Sequence, residues 1–343
     1  MKKLGNVLYL TSPDAFLGLE DEALVIKKED QPTKKLPLLN LEGIVCFNYT
    51  GVSPFLMGAC VQRNINLTFL TPNGRFMARV NGPVSGNVLL RKKQFALSED
   101  EDKSLAIARN CVLGKIYNQR KVLQRAKRDH ALLLELDQFD AVIADLKELL
   151  ENAQLAASKA ELMAIEGNAT KRYFSLFDQL IFQQKDHFFF YERTRRPPTD
   201  PMNALLSFLY VLLANETASA LEAVGLDAYV GFFHADRPGR QSLALDIMEE
   251  LRPVLCDRLA LNLVNRKQIS GKGFSLKESG GVLMDDETRK VVIVAWQEKK
   301  KEELLHPFLK EKVPYGLLAH VQALLLARHL RGDLEAYPPF FWS

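Results

Sequence analysis

Apolar and polar positions along this chain follow two different rhythms. Up to about residue 85, short runs with strand character recur: Val7–Leu10, Ala23–Ile26, Gly43–Phe47, Leu67–Leu70 and Phe76–Val80. Turn-forming pieces such as Ser12-Pro13-Asp14 and Pro72-Asn73-Gly74 separate them. One helix interrupts this region, with Ser53 as N-cap and Pro54 at the first helical position, where a missing N–H costs nothing. Gly82–Gly86 reads as a connection, and residues 86–96 are assigned to the link between domains. Helical spacing then takes over, in Leu97 to His130, Phe139 to Asn152, Gln154 to Leu180, Pro201 to Val224 (stopped by Gly225), Ser242 to Val264, and Pro314 to Leu330. A β-hairpin is expected near 281–294, pairing Gly281–Met284 with Val291–Val294 through Asp285-Asp286-Glu287-Thr288. There is no internal repeat and no low-complexity tract. The pattern gives an α+β chain of two domains: a small β-strand-rich domain over 1–85 and a larger α-helical domain over 97–343.

Composition sets few further limits. A chain of 343 residues with 47% hydrophobic and 25% charged residues can build two ordinary globular cores. The longest apolar run, Ala204 to Ala214, contains Ser207 and falls short of the ~20 residues that cross a bilayer. Lys2 and Lys3 are not followed by the apolar stretch of a signal peptide. Cys46, Cys60, Cys111 and Cys256 show neither metal-ligand nor redox spacing, so reduced, buried thiols in a cytoplasmic protein are expected.

A net charge of +3 announces no partner, but its distribution is uneven. Lys115, Arg120, Lys121, Arg125, Lys127 and Arg128 crowd one segment, and Glu135, Asp137, Asp140, Asp145, Glu148 and Glu151 follow it. On a helix, Lys121, Arg125 and Arg128 form a stripe able to follow a phosphate backbone, or else a solvated face paired with the acidic neighbour. Arg193, Arg195 and Arg196 make a second basic cluster, and Arg91, Lys92 and Lys93 a third.

Chemistry concentrates in two stretches, Ile165-Glu166-Gly167-Asn168-Ala169-Thr170 and Gly231 to Glu250. They offer one imidazole and several carboxylates, the mostly oxygen donor set that suits a hard divalent cation handling phosphates. Asp246 and Glu249, three apart on a helix, lean toward one face, close enough to share a site with His234. Glu250 points about 100° away from Glu249 and is left out. Taken alone, Glu166 reads as a solvated helix residue and His234 as a hydrogen-bonded core histidine. The small Gly167 and Ala169 suggest close packing around Glu166. Arg252 and Asp257 read as structural pairing partners, and His320 and His329 as packing residues. Dinucleotide-binding, Walker, G-x-S-x-G and H-E-x-x-H motifs are all missing.

The segments Ile165–Ala169, Arg195-Arg196-Pro197-Pro198-Thr199-Asp200-Pro201-Met202-Asn203 and Gly225–Pro253 resemble the signature of the CRISPR-associated integrase family, the universal spacer-acquisition nucleases. Asn118-Gln119-Arg120 and Ala295-Trp296 extend the likeness over essentially the whole chain, and Tyr337-Pro338-Pro339-Phe340-Phe341-Trp342 looks like the type I-C branch. The resemblance implies a β-sandwich-like N-terminal domain and an α-helical catalytic domain. It implies a homodimer, two of which are bridged by a small ferredoxin-like adaptation partner into a heterohexamer, with a RecB-like exonuclease as a further partner. The family's metal-binding residues fall on Glu166, His234 and Glu249, the last being Asp in several relatives, and Asp246 matches a second acidic position. Bound Mg²⁺ or Mn²⁺ would then help a prespacer 3′-hydroxyl attack a repeat phosphate, a transesterification with DNA as substrate and no membrane involved. Arg91, Arg120, Arg125, Arg195 and Arg196 are the candidate DNA contacts. Two other readings stay open: a non-catalytic DNA-binding scaffold whose acids merely pair with arginines, and a general metal-dependent nuclease.

Overall fold

In the computed structural model, which describes residues 5–343 other than 30, 48, 49, 73, 83–87 and 279, the two rhythms become two units, Met1–Ser85 and Gly86–Ser343. Asn73 of the expected turn and Pro83 to Gly86 of the expected connection lie outside the described residues.

The first unit holds two four-stranded sheets. One runs β1 (Asn6–Leu10), β5 (Leu41–Phe47), β7 (Asn66–Leu70) and β8 (Phe76–Val80), with the first three parallel and β8 antiparallel. The second is an antiparallel meander of β4 (Gln31–Pro37), β3 (Ala23–Lys28) and β2 (Phe16–Glu20), with β6 (Gly51–Val52) parallel to β2. Strand β5, parallel to both neighbours, is apolar on both faces, as parallel strands are when both faces are covered. Leu17, Leu24, Ile44, Cys46 and Leu67 from both sheets enclose Leu56 and Cys60 of α1 (Pro54–Gln62) in one core. Ser53 caps α1 by accepting from Leu56 N at 3.2 Å, with Pro54 in the first turn. Strand β4 carries no apolar run, which is why periodicity misses it; backbone pairing to β3 holds it.

The second unit is mainly helical: α2 (Val88–Glu99), α3 (Glu101–His130), α4 (Leu136–Leu155), α5 (Lys159–Ser175), α6 (Pro201–Ala223), α7 (Ser242–Glu249), α8 (Arg258–Asn265), α9 (Asp286–Lys301) and α10 (Leu318–Arg331). Two short antiparallel pairs accompany them, β9 (Phe274–Leu276) with β10 (Val282–Met284) and β11 (Glu303–Leu305) with β12 (Lys312–Pro314). Helix α3 packs on α4, α5 and α7, and α6 on α7 and α10. Helix α6 is long and apolar enough to pass a length test for a membrane span, yet most of its apolar window is buried inside this unit.

Of the expected link over 86–96, Gly86 and Asn87 lie outside the described residues, and 88–96 belong to α2, whose buried stripe of Leu90, Gln94 and Leu97 is hard to read as a helix face because Gln94 is polar. The single helix expected from Leu97 is split by Asp100, whose side chain caps α3 by accepting from Lys103 N at 3.0 Å. The expected hairpin does not form. β10 pairs with β9 instead, and Val291–Val294 lies in α9. Asp285 caps that helix by accepting from Thr288 N at 2.7 Å, acids fill its first turn, lysines its last, and Val292, Ile293 and Trp296 bury one face. The four residues 285–288 that looked like a turn are a helix start. The helix expected over Ser242–Val264 breaks after Glu249 and resumes through a wider π-type turn at Pro253–Asp257, where a proline without an N–H cannot continue the ladder.

Behind that break lies a buried polar group. Asp257 accepts from Tyr210 Oη at 2.6 Å and Tyr173 Oη at 3.1 Å. Burial pushes its carboxyl up to about 6, against the lowering pull of both tyrosines, Arg252 and Arg193. The folded chain therefore holds a proton that the unfolded chain releases between about pH 3.8 and 6, and stability falls as pH rises through that window. Asp257→Asn is expected to flatten the stability profile there by roughly 2–3 kcal/mol. Both tryptophans, Trp296 and Trp342, lie in the helical unit, so urea titrations followed by tryptophan fluorescence at pH 4, 5 and 6.5 read this unit directly.

Candidate metal centre

The centre is built where α3, α5 and α7 meet. Helix α5 starts at Ser158, whose Oγ accepts from Glu161 N at 3.2 Å, and carries Glu166 on its second turn. Glu166 accepts from Thr170 Oγ at 2.9 Å, one helical turn on. Of the small residues expected to allow close packing around Glu166, Gly167 does not pack: a Cβ there would meet nothing within 4 Å, and Gly167 and Asn168 are exposed beside Glu166. Ala169, by contrast, is buried.

Lys115 joins the two acidic segments. From the buried face of α3 its ammonium contacts Glu166 Oε1 and lies 2.7 Å from Glu249 Oε2. Arg252 takes the other oxygen, Glu249 Oε1, at 2.7 Å. Burial alone would raise the Glu249 carboxyl; the charges of Arg252 and Lys115 outweigh it and hold the group down at about 2. Glu249 Oε2 makes an ion pair with Lys115 but no well-directed hydrogen bond. Sequence reading placed Lys115 in the basic stretch and missed its role. The available signal was its register, since it shares with Cys111, Val112, Gln119 and Val122 the face that α3 buries.

His234 comes from the loop before α7. Asp246, fully buried on α7, accepts from the backbone N–H groups of Phe232 (2.7 Å), Phe233 (3.0 Å) and His234 (2.9 Å). Its Oδ1 also lies 2.7 Å from His234 Nδ1. A carboxylate only accepts, so Nδ1 donates, and in the neutral imidazole the lone pair then lies on Nε2. Gln94 of α2 pins the same loop, donating to the carbonyls of Asp227 (2.8 Å) and Val230 (2.9 Å) and accepting from Asp227 N (2.9 Å). A Cβ at Gly231 would sit 2.8 Å from Ser242 Cβ and 3.0 Å from Asp246 Oδ2, so only glycine lets the loop close on α7.

Glu250 turns away, as its helical position requires. It accepts from Tyr337 Oη, from Gln322 Nε2 at 3.1 Å and from Phe340 N at 2.5 Å, and burial lifts its carboxyl to about 7. Asn118 donates to the carbonyls of Glu250 (2.6 Å) and Phe340 (2.8 Å), tying the C-terminal segment behind α7. Gly114 lets α3 come this close: a Cβ there would lie 2.8 Å from Glu250 Cβ and 2.9 Å from its Oε2. Gly114→Ala is expected to push α7 off α3 and cost about 1–3 kcal/mol, visible as a lower melting temperature; an unchanged melt would show that α7 yields freely.

The structure thus brings Glu166 and Glu249 onto one cation and His234 onto Asp246 of the same short helix. Among the described residues, no three His, Cys, Asp or Glu side chains converge closely enough to hold a metal ion as they stand. The donor set nonetheless suits a hard divalent cation: two carboxylates sharing a point charge, one carboxylate oxygen without a directed hydrogen bond, and an imidazole with an oriented lone pair. None of the candidate DNA contacts takes part in the hydrogen bonds and ion pairs that build the centre. Arg91 donates to Gly225 O at 3.3 Å and Arg120 to Ile143 O at 3.2 Å, spending one nitrogen each inside the fold. Arg125 is exposed, lies over the Trp342 ring and pairs with Asp129. Arg195 and Arg196 are exposed.

Residues 8–298 match the family model described as CRISPR associated protein Cas1. The chain is 50% identical, over the whole of both chains, to the CRISPR-associated endonuclease Cas1 2 of Rhodospirillum rubrum. A Cas1 protein from Thermotoga maritima has a solved structure that is 26% identical, covers 98% of this chain and all of its own, and superposes with a TM-score of 0.82. A chain of a Cas6-RT-Cas1–Cas2 complex is 25% identical over all of this chain and 36% of that one, with a TM-score of 0.81. A Cas4 exonuclease/Cas1 endonuclease fusion of Geobacter sulfurreducens is 35% identical over 98% of this chain and 60% of the fusion.

Proposed function

The chain belongs to the Cas1 family of CRISPR-associated proteins, and we propose that it is a divalent-metal-dependent DNA endonuclease and integrase of CRISPR adaptation. The observation that carries this is the cation bridge itself, with Lys115 bound between Glu166 and Glu249 one helical turn from the Asp246–His234 pair. Glu166, Glu249 and His234 Nε2 would hold Mg²⁺ or Mn²⁺, which when bound polarises a phosphate and stabilises the charge that develops on it. Glu249, held at about 2, stays an anion throughout the working range. Asp246 fixes the His234 tautomer that leaves Nε2 able to ligate. The exposed side of Glu166, beside Gly167 and Asn168, is where a backbone phosphate can approach.

The reaction proposed is a transesterification. The prespacer 3′-hydroxyl oxygen forms a P–O bond at the repeat boundary, the displaced 3′-oxygen leaves as a hydroxyl, and no external energy is consumed. With water as nucleophile the same site cuts DNA. Arg125, Arg195 and Arg196, exposed and basic, are proposed to track the backbone, with Arg91 and Arg120 contributing what their internal hydrogen bonds leave free. A homodimer is proposed, two copies of it bridged by a small ferredoxin-like partner into a heterohexamer; that a solved relative stands in a Cas6-RT-Cas1–Cas2 complex supports the association with an adaptation partner. A relative fused to a Cas4 exonuclease supports a RecB-like exonuclease as a further partner.

The test is a half-site integration assay on a supercoiled repeat plasmid, with and without divalent metal and the adaptation partner. Joined products that need metal and vanish with Glu166→Ala are expected. Products unaffected by chelation or by that substitution would leave only a DNA-binding scaffold, and cleavage without joining would leave only a nuclease.

A further inference from the structure

One lysine stands where the proposed chemistry needs a metal. Lys115 is 7% exposed and is shared by two carboxylates from different helices, α5 and α7. An ammonium is a compact point charge on a flexible stem, able to fill a cation site and to leave it by rotating its side chain. The contacts on either side fit an occupant that can go. Glu249 Oε1 is held separately by Arg252 at 2.7 Å, and Glu166 Oε1 separately by Thr170 at 2.9 Å, so both acids keep a partner when the ammonium departs. The oxygen facing Lys115, Glu249 Oε2, has it at 2.7 Å without a directed hydrogen bond, the contact a spherical ion would also make. Glu166 is 18% exposed, so the site opens to solvent on that side.

We infer that Lys115 is a placeholder that occupies the cation position in the metal-free protein and is exchanged for the divalent ion when it binds. One cation leaves as another arrives. The released ammonium stays at the rim of the same site, able to donate to a DNA phosphate oxygen that the acids alone would repel. Without the placeholder, Glu166 and Glu249 would face each other across a buried space with too little positive charge between them, and the empty centre would loosen. The inference rests on the metal-dependent reading above.

The experiment measures Mn²⁺ binding to the full-length protein without DNA, by the electron paramagnetic resonance signal of free Mn²⁺, for wild type, Lys115→Gln and Lys115→Arg. Lys115→Gln is expected to bind Mn²⁺ at least about tenfold more tightly, to melt at a lower temperature without metal, and to recover with it. Lys115→Arg, which keeps the charge, is expected to bind no more tightly than wild type. In the wild type, acylation of Lys115 read by mass spectrometry should rise several-fold at saturating Mn²⁺. Equal or weaker Mn²⁺ affinity in a folded Lys115→Gln overturns the exchange. So does unchanged Lys115 labelling on a metal-loaded wild-type chain, whatever the variant does. Failure of wild type and variant alike to bind Mn²⁺ removes the metal-dependent reading and this inference together; Mn²⁺ bound with Lys115 still protected removes this inference alone.

Discussion

Glu249→Gln is expected to lower the single-turnover rate of strand transfer by on the order of 10³-fold or more. The amide keeps the shape of the side chain but loses the charge that Lys115 and Arg252 share. Two effects are bundled here, and they separate by measurement. The folded protein loses the anion between two buried cations, a change that costs about 3–5 kcal/mol when one partner of a buried pair is removed. The metal loses a ligand, which melting curves of the metal-free protein do not see but Mn²⁺ titration does. Glu249→Asp, with the same charge and a shorter reach, should recover part of the rate and most of the stability. The pH dependence is also fixed in sign. Because the folded carboxyl is held at about 2, its stabilisation is complete above the ordinary value near 4.5 and is lost as pH falls from there toward 2. A fall in rate between pH 5 and 7 therefore belongs to another group. If Glu249→Gln joined DNA at the wild-type rate, the proposed ligand set would be wrong.

The parts of this molecule that are legible in its sequence are those where one residue's chemistry dominates its neighbourhood. Helix α6 is bounded as expected because Asp200 caps it and Pro201 opens it. Strands β5, β7 and β8 follow from apolar runs. Glu250 was set aside from Glu249 on helical geometry, and the structure puts it on Tyr337, Gln322 and Phe340. What stays hidden depends on partners distant in sequence. Strand β4 exists because β3 offers it an edge. The α9 segment looks extended by its valines, yet Asp285 and the charges at its two ends make it a helix, and burial of Trp296 completes it. Lys115 looked like one of six bases in a charged stretch; only the approach of α5 and α7 turns it into the centre of the site. Asp246 was marked as a second acid of the site, whereas its contacts are to the loop that carries His234.

That last arrangement gives the other large effect. Four groups point at Asp246: the N–H groups of Phe232 and Phe233 on Oδ2, and the N–H and Nδ1 of His234 on Oδ1. In Asp246→Asn one oxygen becomes an NH₂, and either orientation is penalised. With the NH₂ toward Phe232 and Phe233, donors face donors in a fully buried space, at about 1–3 kcal/mol for each one left unpaired. With the NH₂ toward His234, the ring can only accept at Nδ1, the proton moves to Nε2, and the lone pair proposed to bind metal is gone. The second outcome costs less in the metal-free protein, because it leaves one backbone donor, the His234 N–H, unpaired instead of two, and the His234 side chain, 25% exposed, can change tautomer without leaving the loop. The variant is therefore expected to fold with a modestly lower melting temperature and to lose about 10²–10⁴-fold in strand-transfer rate through the wrong tautomer. Nitrogen-15 spectra of the imidazole distinguish the two orientations directly, with Nδ1 protonated in the wild type and Nε2 protonated in the variant. A variant that retains both the Nδ1–H form and the wild-type rate would show that Asp246 holds the loop without setting the chemistry of His234.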